Sequence, residues 1–592
     1  MPAETLLDLL AAAGRRPEGG LRFLDREEHA TWVPWGEARA AAEAAAGGLQ
    51  ALGVAKGDRV VLVFPTGPDF FAAFFGALLA GAVPVPLYPP VRLGRLAEYY
   101  ARTARMMERV RARIVLADRR VQRILGVPVG RARPPLGCRT LAELPGARPA
   151  PVAVGPGDLA LVQFSSGTTV EPKPVALAHR AILAQAEALS ELWPDTPTLR
   201  HSAVSWLPLY HDMGLIGCVF PALGRDATLT LIPPELFVAR PALWLRAISR
   251  YRATVSPAPN FAFALCAFRV PESELEGLDL SSWVTALDGA ESVAPAVVRA
   301  FEARLAPYGL RPGVVTPVYG LSESALAVTF PPLGRPFLAR RFDREALARD
   351  GRARELGPDE DGAREIVSVG LPLPGFRLEV RGEDGLSLPA GRVGRIWIAG
   401  PSLMEGYLDD PQATANAFQG GFLDTGDLGF LWDGELYLTG RAKDVVILRG
   451  RNHSPEEIER AVDAVPGARP GCAVAASFLP EGGDGEVLAL FVEARRDAAR
   501  EEVRALPAAC RAAVLAATGL DVDLPVVLAS GTLPRTSSGK LRRAEAVRLY
   551  LADRLEPPAK VTPLRLAGAV ARSGLAYARL SLAGRREDEP DD

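Results

Sequence analysis

Histidine and cysteine are scarce, with five of each in 592 residues. Cys138, Cys218, Cys266, Cys472 and Cys510 are scattered and form no C-x-x-C pair. That argues against a zinc framework or a disulfide scaffold and fits a reducing, cytoplasmic setting. No two histidines stand at H-x-x-x-H spacing, which argues against a metal site built on histidine. Charge of either sign is not in excess. The net value of −2 gives no global pull toward nucleic acid or an anionic membrane. No long apolar run is free of breakers. The longest uncharged stretch, Phe70 to Val91, contains Pro84, Pro86, Pro89 and Pro90, so a spanning helix and stable membrane insertion are not expected. Met1 to Arg15 lacks a basic segment ahead of its apolar residues and does not read as a signal peptide.

What is present is ample apolar material, 48% of residues, and a length that suits several domains. Trp35 to Leu52 is Ala-rich with spaced apolar positions and reads as a helix stopped by Gly53. Asp58 to Phe64 is a Val-rich buried strand, Pro68 to Ala80 a helix, and Val83 to Leu87 a strand. The alternation continues with strands at Ile114 to Ala117, Leu159 to Phe164, Thr228 to Ile232 and Ala253 to Ser256. Helices are expected at His179 to Leu192 and Pro241 to Tyr251. This pattern predicts an α/β fold with mainly parallel sheets. Pro331 to Glu365 is charged and weakly periodic and reads as a surface insertion with at most a short helix. Short β-rich runs from Val367 to Leu438 suggest a β-rich subdomain. A compact α+β region follows. The expected organisation is a large domain over 1–440 with an insertion at about 331–365, a small C-terminal domain over 441–555, and a tail over 556–592 with a mobile end.

The stretch Phe164 to Val175, FSSGTTVEPKPV, carries the first chemical signal. Gly167 lets backbone approach an anion. Ser165, Ser166, Thr168 and Thr169 offer hydroxyls, and Lys173 offers charge. The Walker spacing is absent, so this would be another kind of phosphate loop, or an ordinary polar loop. Six further stretches stand out. SWLPLYHDMGLIG holds His211, either functional or a core histidine. ALDGAESV holds Gly289, Ala290 and Glu291. YGLSE holds Tyr319, Gly320, Ser322 and Glu323, where Tyr319 suits base stacking or core packing, and Glu323 suits a hard divalent cation. DTGDLG holds Asp427, a ribose acceptor or a turn residue. GRAKDVVILRGRN holds Arg441 and Lys443. LPRTSSGKL holds Lys540, which alone reads equally as a solvated charge.

In this order the motifs resemble the adenylate-forming superfamily of acyl-CoA synthetases, luciferases and peptide-synthetase adenylation domains, over about the first 550 residues. SWLPLYHDMGLIG, ISRYRATVSPAPNFAFALC, LDLSSW and KDVVILRGRNHSPEEIE make the narrower resemblance to fatty acyl-AMP ligases, as does the insertion after YGLSES. The resemblance implies an acyl-CoA synthetase/luciferase-like fold with a small mobile C-terminal domain. It also implies ATP and Mg²⁺ as cofactors, and a fatty acid that becomes an acyl-adenylate. An acyl carrier protein, or a synthase carrier domain in trans, would then take the acyl group. Ser165, Ser166, Gly167, Thr168, Thr169 and Lys173 would hold the outer phosphates, and Glu323 the Mg²⁺. Gly289, Ala290, Glu291 and Tyr319 would form the adenine slot, and Gly320 and Ser322 would also bind the nucleotide. Asp427 and Arg441 would face the ribose. Lys540 would bridge carboxylate and α-phosphate, and His211 would sit where acyl chain meets phosphate. Phe261 and Phe263 would line the acyl tunnel or pack in the core, and Lys443 would be the hinge. One departure is Pro174, where the relatives carry glycine after the loop lysine, which puts the loop's closing motion in doubt.

Overall fold

The computed structural model describes residues 3–15, 18–90, 93–165, 172–196, 199–448, 451–478, 486–536, 539–559 and 561–587. A seven-stranded sheet forms one pillar of the large part. Its spatial order is Val315–Pro317, Thr285–Asp288, Val255–Ala258, Ala203–Ser205, Thr228–Leu231, Gly20–Leu24 and Ala30–Pro34. All neighbours are parallel except the last pair, which closes the edge antiparallel. A second sheet is wholly parallel, in the order Val83–Pro86, Arg59–Val63, Ile114–Ala117 and Cys138–Arg139. Val60 to Val63 are fully buried, which explains their unbroken apolar run. Helices Trp35–Ala51 and Pro68–Leu79 pack closely because Gly76 has no side chain: a Cβ there would lie 2.7 Å from that of Ala45.

The strand Leu159–Phe164 departs from the expected parallel pattern. It pairs antiparallel with a strand the sequence reading missed, Pro174–Ala178, so these two paired strands flank the Ser/Gly/Thr stretch. Ser165 N donates to Lys173 O at 2.9 Å and pins the loop's two ends. That ladder bond falls beside the Phe164–Pro174 pair, so the strand Leu159–Phe164 does not call for the N–H that Pro174 lacks.

The β-rich part comprises Arg377–Arg381, Gly394–Ala399, Phe422–Trp432, Phe418–Gln419 and Glu435–Arg441. The charged insertion is more ordered than expected. Ala339–Asp343 and Ala363–Val367 form an antiparallel hairpin around the helix Arg344–Asp350. Phe342 anchors it, fully buried against Phe430, Trp432 and Tyr437. One aromatic among arginines is too little periodicity to announce a strand.

From Val446 onward the chain builds a separate core that includes Ile458, Leu488, Leu490, Leu506 and Val514. Ala468–Phe478 and Val487–Ala494 pair antiparallel, and Leu524–Leu528 joins them parallel. The helices are Pro455–Ala461, Arg500–Thr518 and Arg543–Leu551. Arg543 is clamped to Asp444 at 3.0 Å, Glu456 at 3.0 Å and Glu459 at 2.7 Å, and ties the last helix to the start of this unit.

Most of the tail has regular structure. Pro563–Glu587 is a helix, and it docks on Arg119–Ala132 of the large part. Ala569 and Ser573 are fully buried there, and Ser573 Oγ accepts from Gly126 N at 2.6 Å. Tyr577 OH donates to Gln122 O at 3.1 Å. A Cβ on Gly126 would meet Ser573 O at 2.1 Å, so glycine is what lets the two helices approach. The final residues 588–592 lie outside the described residues. A Cβ on Gly130 would stand 3.5 Å from that of Ala576, within the roughly 3.5–4.5 Å a disulfide spans. The double variant Gly130→Cys/Ala576→Cys is therefore expected to form that bond on mild oxidation, read as a mobility shift reversed by reductant. A pair at Gly137 and Ala576 is expected to stay reduced; two free thiols at 130 and 576 would refute the docking.

Candidate active site

The C-terminal unit faces the large part across a connected cavity of ≈ 2580 Å³. That is more than the roughly 300–1,000 Å³ of an ordinary ligand pocket. Ser165, Lys173, His211, Glu323, Asp427 and Lys540 all line it, although they come from five separate motifs. Ser166, Gly167, Thr168 and Thr169 lie outside the described residues.

Three carboxylates organise the cavity, each gripped by a neutral or cationic partner. Asp427 is buried on the strand Phe422–Trp432. Tyr319 OH donates to its Oδ2 at 2.8 Å, and Arg441 Nε stands 3.0 Å from Oδ1. Each oxygen keeps a lone pair for a further donor. Burial first, and then the Asp427 charge, push the Tyr319 hydroxyl well above the usual tyrosine range, so it remains a donor. Glu323 accepts from Tyr407 OH at 3.0 Å, and Lys173 Nζ lies over the Tyr407 ring at 4.2 Å. A short chain of contacts thus links the hairpin loop to the YGLSE motif. Burial raises the Glu323 carboxyl, partly offset by its hydrogen bonds and Arg441.

The third carboxylate, Asp212, was passed over in the sequence in favour of its neighbour. His211 Nδ1 sits 2.7 Å from Asp212 Oδ1, and Ser322 Oγ donates to Oδ2. Burial alone would raise this carboxyl, but His211, Ser322 and Lys540 outweigh it and hold it well below the usual range. His211 Nε2 is buried with no partner among the described residues.

Glu291 Oε1 accepts from Phe261 N at 2.6 Å, and burial raises its carboxyl. Ala290 takes a left-handed backbone, φ 70°, at the turn that brings Glu291 to the cavity. Gly289 stands behind it, where a Cβ would touch Val318 Cγ2 at 2.8 Å. At Gly320 a Cβ would lie 1.8 Å from Leu326 O, so only glycine fits. Lys540 is half-buried, its turn held by Thr536 N to Lys540 O at 2.8 Å. Burial and then Arg441 push its ammonium pKa down, against Asp212, Glu291 and Asp427. Lys443 is exposed at the cavity's rim, one residue after Ala442.

Phe261 and Phe263 separate. Phe261 lines the cavity beside Trp206. Phe263 points into the core, fully buried, its ring 5.0 Å from Phe301 and 5.6 Å from Trp244. Of the two readings of Phe263, core packing is the one the geometry supports, and it leaves the acyl assignment.

No group of three or more His, Cys, Asp or Glu that could cage a metal occurs among the described residues. Glu323 still suits Mg²⁺, which is commonly held by one or two carboxylates together with substrate phosphates.

The sequence profile of AMP-binding enzymes matches residues 11–408. The chain belongs to the AMP-binding enzymes. A Caulobacter vibrioides protein provisionally named an acyl-CoA synthetase is 38% identical, over 93% of this chain and 95% of that one. A long-chain-fatty-acid–AMP ligase of Mycobacterium marinum is 34% identical, over 91% and 96%. A solved structure from work on fatty acyl-adenylate ligases of E. coli and L. pneumophila superposes with a TM-score of 0.87 at 34% identity, covering 93% of this chain and 98% of that one. The α/β architecture is therefore that of these enzymes.

Two signals went unread in the sequence of this AMP-binding enzyme. Asp212 lay inside a motif already singled out. Lysine is rarer than it first looks: of 68 basic residues only Lys56, Lys173, Lys443, Lys540 and Lys560 are lysines, and three of these line the cavity. Asp212→Asn is expected to cost about 1–3 kcal/mol of stability, the range for weakening a buried charged hydrogen bond, read as a lower urea midpoint at neutral pH. Because the native carboxyl pKa is depressed, that difference is present above the unfolded value near 3.9. It is expected to fade only as pH falls below that value toward the native one.

Proposed function

We propose that this protein is a fatty acyl-AMP ligase. A fatty-acid carboxylate oxygen bonds to the α-phosphorus of ATP, the α–β phosphoanhydride bond breaks, and pyrophosphate leaves. The acyl group then passes from AMP to the phosphopantetheine thiol of an acyl carrier protein supplied by another chain. The observation that carries this reading is that Lys540 lines one cavity with Asp212, Glu291 and Asp427, a cavity whose walls also include the apolar Leu189, Leu326 and Phe330.

Two anions must be brought together, so the chemistry asks for positioning and positive charge. Lys540 supplies a compact ammonium where carboxylate and α-phosphate meet, and low exposure strengthens it. His211, oriented by Asp212 through Nδ1, presents Nε2 toward the same junction. Ser165 and Lys173, with the rest of their loop, hold the outer phosphates. Asp427 accepts from ribose hydroxyls while Tyr319 and Arg441 keep it in place. Ala290, Glu291 and Tyr319 flank the base, and Gly320 lets the backbone come close. Glu323 holds Mg²⁺ together with the phosphates, and the cation neutralises phosphate charge. Lys443 is the pivot about which residues 441–555 turn between half-reactions. The five cysteines, all buried and unbridged, agree with a cytoplasmic setting.

Lys540→Ala is expected to lower fatty-acid-dependent pyrophosphate release by about a hundredfold or more while ATP binding persists. Lys540→Arg is expected not to rescue it, because the planar guanidinium does not replace a point charge. Wild-type activity requires the protonated lysine, whose pKa is lowered. The alkaline limb of the pH–rate profile is therefore expected below the usual lysine value of about 10.4. Near-normal pyrophosphate release in Lys540→Ala would remove the residue from the reaction.

An acyl-CoA ligase is the second reading, favoured by the name of the Caulobacter relative. Acyl-AMP is expected to persist when CoA is added and to be consumed when a phosphopantetheinylated carrier protein is added. Rapid acyl-CoA formation would select the second reading. Absence of ATP–pyrophosphate exchange with every fatty acid would make the protein a silent binder.

A further inference from the structure

The tail helix Pro563–Glu587 buries one face on Arg119–Ala132 and turns the opposite face to solvent. At about 100° per residue, Leu564 lies half a turn round the helix from Ser573, which is buried against Gly126. Leu564 is 84% exposed, and Leu575, within about 20° of it on the helix, is 61% exposed. Gly568, Ala571 and Ala578 share this face, at alternating spacings of four and three. The result is an exposed apolar ridge along the helix.

Beside the ridge runs a row of arginines. Arg565, Arg572 and Arg579 stand seven residues apart, all exposed, and none has an ion-pair partner among the described residues. The sequence from Pro557 to Arg586 holds six basic residues and no acid; the acids begin at Glu587, beyond this row. The whole chain is close to neutral, so this positive charge is local. No helix among the described residues is long and apolar enough to cross a membrane. An apolar ridge flanked by arginine is instead the pattern of a helix that lies in the plane of a lipid surface.

Unpaired arginines call for anions along the length of the helix, and exposed leucines call for an apolar layer beside those anions. An anionic lipid surface supplies both at once. A second copy of the chain would bring, along the same length of helix, only more arginine. An acidic protein would match the charge, but it would need a groove fitted to a convex ridge, whereas a bilayer yields to one. The placement also has a use. The Gly126–Ser573 and Gln122–Tyr577 pairs show that Arg119–Ala132 runs antiparallel to the tail helix, and it lends Arg120, Val121 and Ile124 to the wall of the active-site cavity.

We propose that the exposed face of the tail helix docks on an anionic lipid surface, with Arg565, Arg572 and Arg579 on the headgroups and Leu564 and Leu575 among them. The proposal does not rest on the acyl-AMP ligase reading, and none of these residues belongs to the adenylation machinery.

The test sediments the full-length protein with vesicles of phosphatidylcholine alone, and of phosphatidylcholine mixed equally with phosphatidylglycerol, at low and high salt. Binding to the mixed vesicles is expected to be about tenfold or more tighter than to the neutral ones, and to weaken at high salt. Arg565→Gln/Arg572→Gln/Arg579→Gln is expected to lose about a hundredfold in affinity, at roughly fivefold per arginine, while the same three positions changed to lysine keep it within about threefold. Leu564→Ser/Leu575→Ser is expected to weaken binding by about tenfold. If the glutamine variant fails to fold, the serine variant decides. Equal binding to both vesicle types, binding to neither, or binding that survives the folded glutamine and serine variants would overturn the proposal. A dimer that these variants dissociate, without vesicle binding, would overturn it in favour of a second copy. Retention on an acidic carrier protein that the glutamine variant loses, again without vesicle binding, would overturn it in favour of a protein partner.

Discussion

The structure depends on charge held out of water. Asp212, Asp427, Glu291 and Glu323 come from the large part, and Lys540 and Arg441 from its end and beyond, and all face one cavity. Isolated carboxylates in such a place would be costly. Each is therefore given a defined partner: His211 and Ser322 for Asp212, Tyr319 and Arg441 for Asp427, a backbone N–H for Glu291, Tyr407 for Glu323. The hydroxyl donors matter because they hold a carboxylate without cancelling its charge. The electrostatic field that remains is what an ammonium such as Lys540 answers. The rest of the fold serves to hold those partners still, with strand ends presenting them and two buried cores behind them.

The same economy positions the C-terminal unit. Arg543 gathers Asp444, Glu456 and Glu459 into one ion cluster, so the segment at Asp444 and the helix after Lys540 are tied to each other. Arg344 of the insertion meets Glu457 of that unit at 2.7 Å. The charged insertion is thus in part a surface against which the small unit rests.

Much of the fold was legible because buried parallel strands announce themselves: Arg59–Val63 and Ile114–Ala117 have no polar alternation to confuse the period. What was missed is short or locally ambiguous. Pro174–Ala178 opens with a proline and runs directly into a helix at His179, so no turn residues separate the two periods. Ala339–Asp343 hides a buried Phe342 among arginines. In the site, residues within motifs were legible and their pairings were not. Asp212 stands beside the rarer His211, and Tyr407 belongs to no charged motif; both are recruited by tertiary contact. Phe261 and Phe263 are two apart on one helix, and only the rotation of that helix decides which meets the cavity. The lysines were the strongest unread signal. Where arginine supplies nearly all positive charge, the three lysines at the cavity mark places that suit a small, mobile point charge.

The docked tail has a mechanical meaning. A unit joined to its neighbour by one connection is held at one end only; this one is held at both, by the chain that enters it from the large part and by the helix that begins with Pro563. Between Leu551 and that helix only eleven residues are free to stretch, and at about 3.3–3.6 Å each they span at most about 40 Å. Arg95 shortens the leash further in this arrangement, gripping Thr532 O at 2.8 Å and Glu556 O at 3.1 Å. Any excursion of Leu551 beyond the length of that leash must peel Ser573 and Tyr577 from their berth. The tail therefore limits how far Leu551, at the end of the unit that carries Lys540, can stand from the helix Arg119–Ala132 of the large part.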